Sequence, residues 1–195
     1  MRLVVGLGNP GPRYLRSRHN AGFWFVDALA DRAGGTFRPA GRFLGEVCEV
    51  GTGPQQVRLL KPTTYMNRSG QAVAALARYY RYAPEEILVA HDEIDLPPGV
   101  VRLKHGGGLA GHKGLQDIAA HLGDRSFIRV RIGVGRPIHS ENGVDYVLQR
   151  PTAEEAKLIA RAIDDVLVLI PHIMEGDLER AMNVLHQRSR PEDSD

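Results

Sequence analysis

Residues 1–11 read MRLVVGLGNPG, an apolar strand-like run ending in Gly6, Gly8 and Gly11. By pattern this is G-x-G-x-x-G after a strand, the fingerprint of a dinucleotide-binding βαβ unit. In that unit the helix starts at the glycines, so its free N–H groups and positive dipole end meet the pyrophosphate. Here Pro10 and Pro12 each remove an N–H, and helical periodicity begins only near Ala21. The downstream acids, Asp27 and Asp31, fall inside that helix instead of at the end of a second strand. The stretch therefore reads as a rigid turn presenting Asn9, with His19 and Asn20 at the mouth of a helix.

Working outward, AGFWFVDALADRAGG predicts an amphipathic helix closed by Gly34 and Gly35. RFLGEVCEV and QQVRLLKP predict two strands joined by GTGP. TTYMNRSGQAVAALARYYRY enters a second helix, with Asn67 or Ser69 as its cap. ILVAH is a strand that delivers an acidic cluster, VVRLK another, and LQDIAAHLG a short helix. FIRVRIGVG is a strand with arginines at alternate positions, which makes one face polar. TAEEAKLIARAIDDVLVLI and DLERAMNVLHQ predict C-terminal helices, broken near Pro171.

The interleaving predicts an α/β fold: a single domain over residues 1–187, a mixed twisted β-sheet with helices on both faces, and a flexible tail over 188–195. Such sheets bind ligands beyond the carboxyl ends of their strands. The polar clusters follow Val5, Leu60, Ala90 and Leu103, where that rule puts them.

Composition narrows the class. The chain has 195 residues, 43% hydrophobic and 25% charged, as expected of a soluble globular protein. No apolar run approaches the length of a membrane span, and glycine and proline interrupt the N-terminal stretch too early for a secretory leader. Cys48 is the only cysteine, so no intrachain disulfide forms and a cytoplasmic home is expected. Flanked by acids, it reads as a small buried apolar side chain and not a nucleophile. The net charge of +2 conceals segregation: Val100–Arg136 carries seven Lys/Arg against two acids, whereas Pro151–Asp195 carries five against ten. A near-neutral chain patterned this way can present a basic face to phosphates. His105 and His112 lie on a glycine-rich loop without a metal-ligand spacing, so neither a metal nor a cofactor is expected.

Three further segments join Asn9 and His19. KPTTYMNRSG presents Tyr65, Met66 and Asn67; HDEIDLPPG presents Asp92; GGGLAGHKGLQDI sets His112 and Lys113 beside glycines that permit close backbone approach. Together with GLGNPG and RHNAG, in this order and spacing, they resemble the bacterial-type peptidyl-tRNA hydrolases from Met1 to about Gln187. The resemblance implies a monomeric, cytoplasmic, metal-independent enzyme of the peptidyl-tRNA hydrolase-like (phosphorylase/hydrolase-like) fold. Its substrate would be the peptide–tRNA ester of a prematurely released peptidyl-tRNA.

The same resemblance assigns His19 as general base and Asp92 as its supporting carboxylate, a chemistry suited to water activation. It gives Asn67 a place near the scissile ester. Asn9 would distinguish a blocked amine from a free one, its amide carbonyl recognising a peptide N–H. Tyr14 and Tyr65 match aromatic positions that contact the tRNA 3′ end, and Met66 would line the peptide side of the cleft. His112 and Lys113 are expected to contact substrate. Where the family usually reads GHNGL, this chain has Lys113, which can stabilise negative charge but lacks an acceptor to orient water. The basic stretch would hold the acceptor stem, with Lys104 as a phosphate contact. Two other classes share such folds: a non-catalytic RNA-binding relative, and an aminopeptidase or nucleoside-cleaving enzyme.

Overall fold

The structure, a computed structural model, describes residues 1–137 and 142–188. Seven strands form one sheet: β1 (Leu3–Gly6), β2 (Arg38–Ala40), β3 (Gly45–Val50), β4 (Val57–Pro62), β5 (Ile87–Glu93), β6 (Val101–His105) and β7 (Ile128–Gly133), in the spatial order β2-β3-β4-β1-β5-β7-β6. The central strands β4, β1, β5 and β7 run parallel, and the edges β3, β2 and β6 run antiparallel to their neighbours. The helices are α1 (Ala21–Arg32), α2 (Ser69–Tyr80), α3 (Lys113–Leu122), α4 (Gly143–Leu148), α5 (Ala153–Glu175) and α6 (Leu178–Arg188). Among the described residues, no helix is long and apolar enough to cross a membrane.

Strand alternation divides the core in two. Val4, Leu59, Leu88, Leu103 and Val130 point to the face covered by α1, α5 and α6. Leu3, Val5, Leu60, Ile87 and Val89 point to the face covered by α2 and α3. Cys48 is buried on β3, with no room for a Cβ on the facing Gly35, in keeping with its reading as packing.

The glycines of the opening stretch serve packing. A Cβ on Gly6 would lie 2.3 Å from the Gly22 carbonyl oxygen, and one on Gly22 2.3 Å from the Ala90 oxygen. The start of α1 therefore rests directly on the ends of β1 and β5, a contact only glycine permits.

Several expectations are corrected. Helix α5 runs through Pro171 and stops at Gly176, whose φ is +87°. Burial of Val166, Leu167, Leu169 and Ile173 along one face outweighs the hydrogen bond that proline removes. The arginine face of β7 is polar as expected, and on it Arg129 is 1% exposed and donates to the Gly106 carbonyl. Neither Asn67 nor Ser69 caps α2. Asn67 lies in the 3-10 turn Met66–Arg68, and Ser69 is the first helical residue, its hydroxyl donating to the Met66 carbonyl. Helix α3 begins earlier than expected, at Lys113, and the short β2 and α4 had no clear periodicity. Arg188 ends α6, and the remainder of the expected tail lies outside the described residues.

Candidate active site

Parallel pairing sets Gly6 beside Ala90, so the loops leaving β1 and β5 emerge together. The Gly22 contact seats α1 on this same edge, and His19 sits three residues before it, in the 3-10 turn Arg18–Asn20. Both flanking residues are buried and anchored. Arg18 donates to the Arg150 carbonyl at 2.9 Å and to Glu155 at 2.7 Å, with its guanidinium 4.2 Å from the Tyr146 ring centre. Asn20 and Asn9 form a reciprocal pair: Asn9 N–H donates to Asn20 Oδ1 at 2.8 Å, and Asn20 Nδ2 to the Asn9 carbonyl at 3.0 Å. The turn is thus held from both ends.

This frame brings His19 Nδ1 to 2.8 and 3.0 Å from the two carboxylate oxygens of Asp92. His112 Nε2 reaches Asp92 Oδ1 at 3.0 Å. Burial alone would raise the Asp92 pKa, but the two imidazoles, by charge and hydrogen bond, hold it well below the usual carboxylate range. An ionised carboxylate only accepts, so both imidazole nitrogens facing it are donors. For His19, burial works against the cation, but the Asp92 charge and hydrogen bond prevail and raise its pKa. His19 Nε2 makes no hydrogen bond among the described residues. His19, Asp92, His112, Lys113 and the Ala110–Gly111 backbone line one cavity of about 230 Å³.

His19, Asp92 and His112 could also be read as a three-ligand metal set, their donor atoms lying within 4.8 Å of one another. The donor chemistry opposes this. His112 Nδ1 accepts the Leu115 N–H at 3.4 Å, so the ring's proton sits on Nε2, the nitrogen a metal would need bare.

The other expected residues separate into groups. Asn9 is buried and lines a separate cavity with Asn20, Lys61 and Thr63; its Oδ1 accepts the Met66 N–H at 2.8 Å, so Nδ2 is the polar atom left for a ligand. The side chain thus offers a donor where a carbonyl acceptor was expected. Met66 is 4% exposed and packs in the core against Gly114, beneath the cleft and not along it. Tyr14, Tyr65 and Asn67 lie on the loops leaving β1 and β4, at the same end of the sheet, with Tyr65 61% exposed. Lys104 does not lie at this end. Strand β6 is antiparallel to β7, so its carboxyl end points away from Asp92, and Lys104 pairs across to Arg129 as Arg102 does to Arg131. These four cations share the α2/α3 face of the sheet, where Glu93 accepts from Arg131 at 2.9 Å. Sequence reasoning missed Arg18, whose place beside His19 in RHNAG was the available signal, and α4, which supplies Val144 and Val147 to the cavity.

A larger cavity of about 490 Å³ lies between α1 and α5, among Leu15, Trp24, Ala160 and Ile163. It contains no histidine.

The peptidyl-tRNA hydrolase family model matches residues 3–193. A peptidyl-tRNA hydrolase from Nitrosospira multiformis is 55% identical over 190 residues, spanning 97% of this chain and 100% of the relative. Another, from Alkalilimnicola ehrlichii, is 52% identical and spans 97% and 96%. The crystal structure of peptidyl-tRNA hydrolase from Acinetobacter baumannii superposes with a TM-score of 0.90 at 46% identity, covering 95% of this chain and 94% of that one. Likeness of this depth, in sequence and in backbone alike, runs almost from end to end, and the chain belongs to the peptidyl-tRNA hydrolase family.

Proposed function

We propose that the protein hydrolyses the ester joining a peptide to the 3′ end of its tRNA, releasing free tRNA and peptide. The observation that carries this reading is the His19–Asp92 pair, with His19 Nε2 open beside the cavity. Asp92 holds the His19 proton on Nδ1, leaving Nε2 to take a proton from water. The water oxygen forms a bond to the ester carbonyl carbon and the carbonyl becomes an oxyanion. Asn9 Nδ2 and the Lys113 ammonium are the donors available to meet that charge. As the intermediate collapses, the carbon–oxygen bond to the ribose breaks and the His19 cation returns its proton to the departing 3′ oxygen. The peptide leaves as a carboxylate. Asn67 holds substrate near the ester, and Tyr14 and Tyr65 offer ring faces to the unpaired 3′ bases.

The acceptor stem is drawn by charge toward exposed Lys104 and half-buried Arg102, with buried Arg129 adding to the positive field from beneath and touching no phosphate. The His–Asp pair is complete within one chain, which favours a monomer, and the single free, buried cysteine suits the cytoplasm. A non-catalytic RNA-binding role has no use for a solvent-open imidazole supported by a buried carboxylate.

The test is turnover of N-acetyl-aminoacyl-tRNA in excess chelator. Release of free tRNA is expected, with unblocked aminoacyl-tRNA cleaved far more slowly. No turnover by the folded protein would overturn the reading.

A further inference from the structure

Within that hydrolase reading, we propose that His112 is a positioning residue that locks the Asp92 carboxylate in place for His19, and that it does not touch the substrate.

Three observations converge. The first is the donor geometry at Asp92. A carboxylate held by one imidazole can still turn about its Cβ–Cγ bond together with that ring, whereas a second donor from a different element opposes the joint movement. Asp92 receives His19 from the turn before α1, shared between Oδ1 and Oδ2 at 2.8 and 3.0 Å, and His112 from the start of α3 on Oδ1 at 3.0 Å, with its side chain 2% exposed at the end of β5. Without His112, the carboxylate could swing and carry the His19 ring with it.

The second is that His112 has no polar atom to spare. Nε2 is used on Asp92, and Nδ1 accepts the Leu115 N–H as the N-cap of α3. A substrate contact would have to break one of these.

The third is ring packing. The His112 side chain is 9% exposed, its ring centre 5.2 Å from that of His19 and 5.0 Å from that of His91, with Gly114 pressed against its edge. His91 is pinned in turn, its Nδ1 donating to the Asp92 carbonyl at 2.7 Å. The His112 imidazole is wedged in the wall behind the base.

The capping and orienting roles can be separated by substitution. His112→Asn keeps a good N-cap but is too short to reach Asp92; His112→Gln restores an amide donor at imidazole-like reach and caps poorly. With N-acetyl-aminoacyl-tRNA, His112→Asn is expected to lower kcat about 10–100-fold, the usual cost of losing an orienting partner, with KM within twofold of the parent. His112→Gln should recover a large part of that kcat despite a lower Tm. A raised KM with unchanged kcat would overturn the proposal in favour of substrate contact, and full activity of His112→Asn would overturn it in favour of a mere helix cap. A second readout needs no turnover, so it separates failure of this inference from failure of the hydrolase reading. Low-temperature proton NMR of the intact protein should show two downfield imidazole N–H resonances, one of which disappears in His112→Asn while the other stays. Retention of both would sink the proposal.

Discussion

His19 Nδ1 and Asp92 Oδ1 stand 2.8 Å apart although 73 positions separate them along the chain. The pair depends on two parallel strands ending together and on a helix that glycine allows to sit on them. The consequences of that arrangement can be measured.

The first concerns pH. Burial lowers the His19 pKa, and the Asp92 charge and hydrogen bond more than reverse it, so the base titrates above its ordinary value of 6.5. A general base works deprotonated, so kcat/KM rises with pH through a midpoint above 6.5. Asp92→Asn removes both upward contributions and leaves burial. Its midpoint should fall below 6.5 while kcat drops by about 10²–10⁴. A pH profile of both proteins decides the matter, and an unmoved midpoint would locate the titrating base elsewhere.

Lys113 is exposed at the lip of the cavity and makes no ion pair among the described residues. Lys113→Asn keeps a donor at the same place. It should cost less than about 1.4 kcal/mol of barrier, under tenfold in kcat. Abolished turnover in a folded variant would show that the ammonium has a duty an amide cannot perform.

On the proposed function, salt should weaken substrate binding, because phosphates would be drawn to exposed Lys104 and its neighbour Arg102 on β6. Lys104→Gln is expected to leave kcat at saturation unchanged and to flatten the log KM against log salt slope by about 0.7–0.9. A KM indifferent to salt in the parent protein would remove the electrostatic account.

Gly22 tests the scaffold. An added methyl would meet the Ala90 and Leu7 backbones at 2.3 and 2.4 Å, atoms that no side-chain rotation can move aside. Gly22→Ala should destabilise the fold by about 3 kcal/mol, the upper end of overpacking costs, and should displace His19 with α1. Urea unfolding measures the first effect and residual kcat the second. An unfolding midpoint matching the parent's would show that the contact is slack.

Much of the protein was legible in its residues because the signals are local. Short continuous apolar runs such as ILVAH and the periodicity of AGFWFVDALADR identify strand and helix without reference to the rest of the chain. Pro10 and Pro12 likewise sufficed to reject a nucleotide loop, since a missing N–H is a property of the residue itself. Asn9, His19 and Asp92 were visible as polar residues after strands. What tertiary structure alone decided was which of these residues meet, and in which direction their neighbours point. Nothing in VVRLK says that β6 runs antiparallel and carries Lys104 away from Asp92, because strand direction is set by its pairing partner. The alternate arginines of FIRVRIGVG mark a polar face, but only the packing of the glycine loop shows that Arg129 is buried and donates to the Gly106 carbonyl. Pro171 looks like a helix break until a buried face holds α5 together around it. A hydrogen bond between distant segments is a property of packing, and the His19–Asp92–His112 cluster exists only where the sheet edge, α1 and the start of α3 converge.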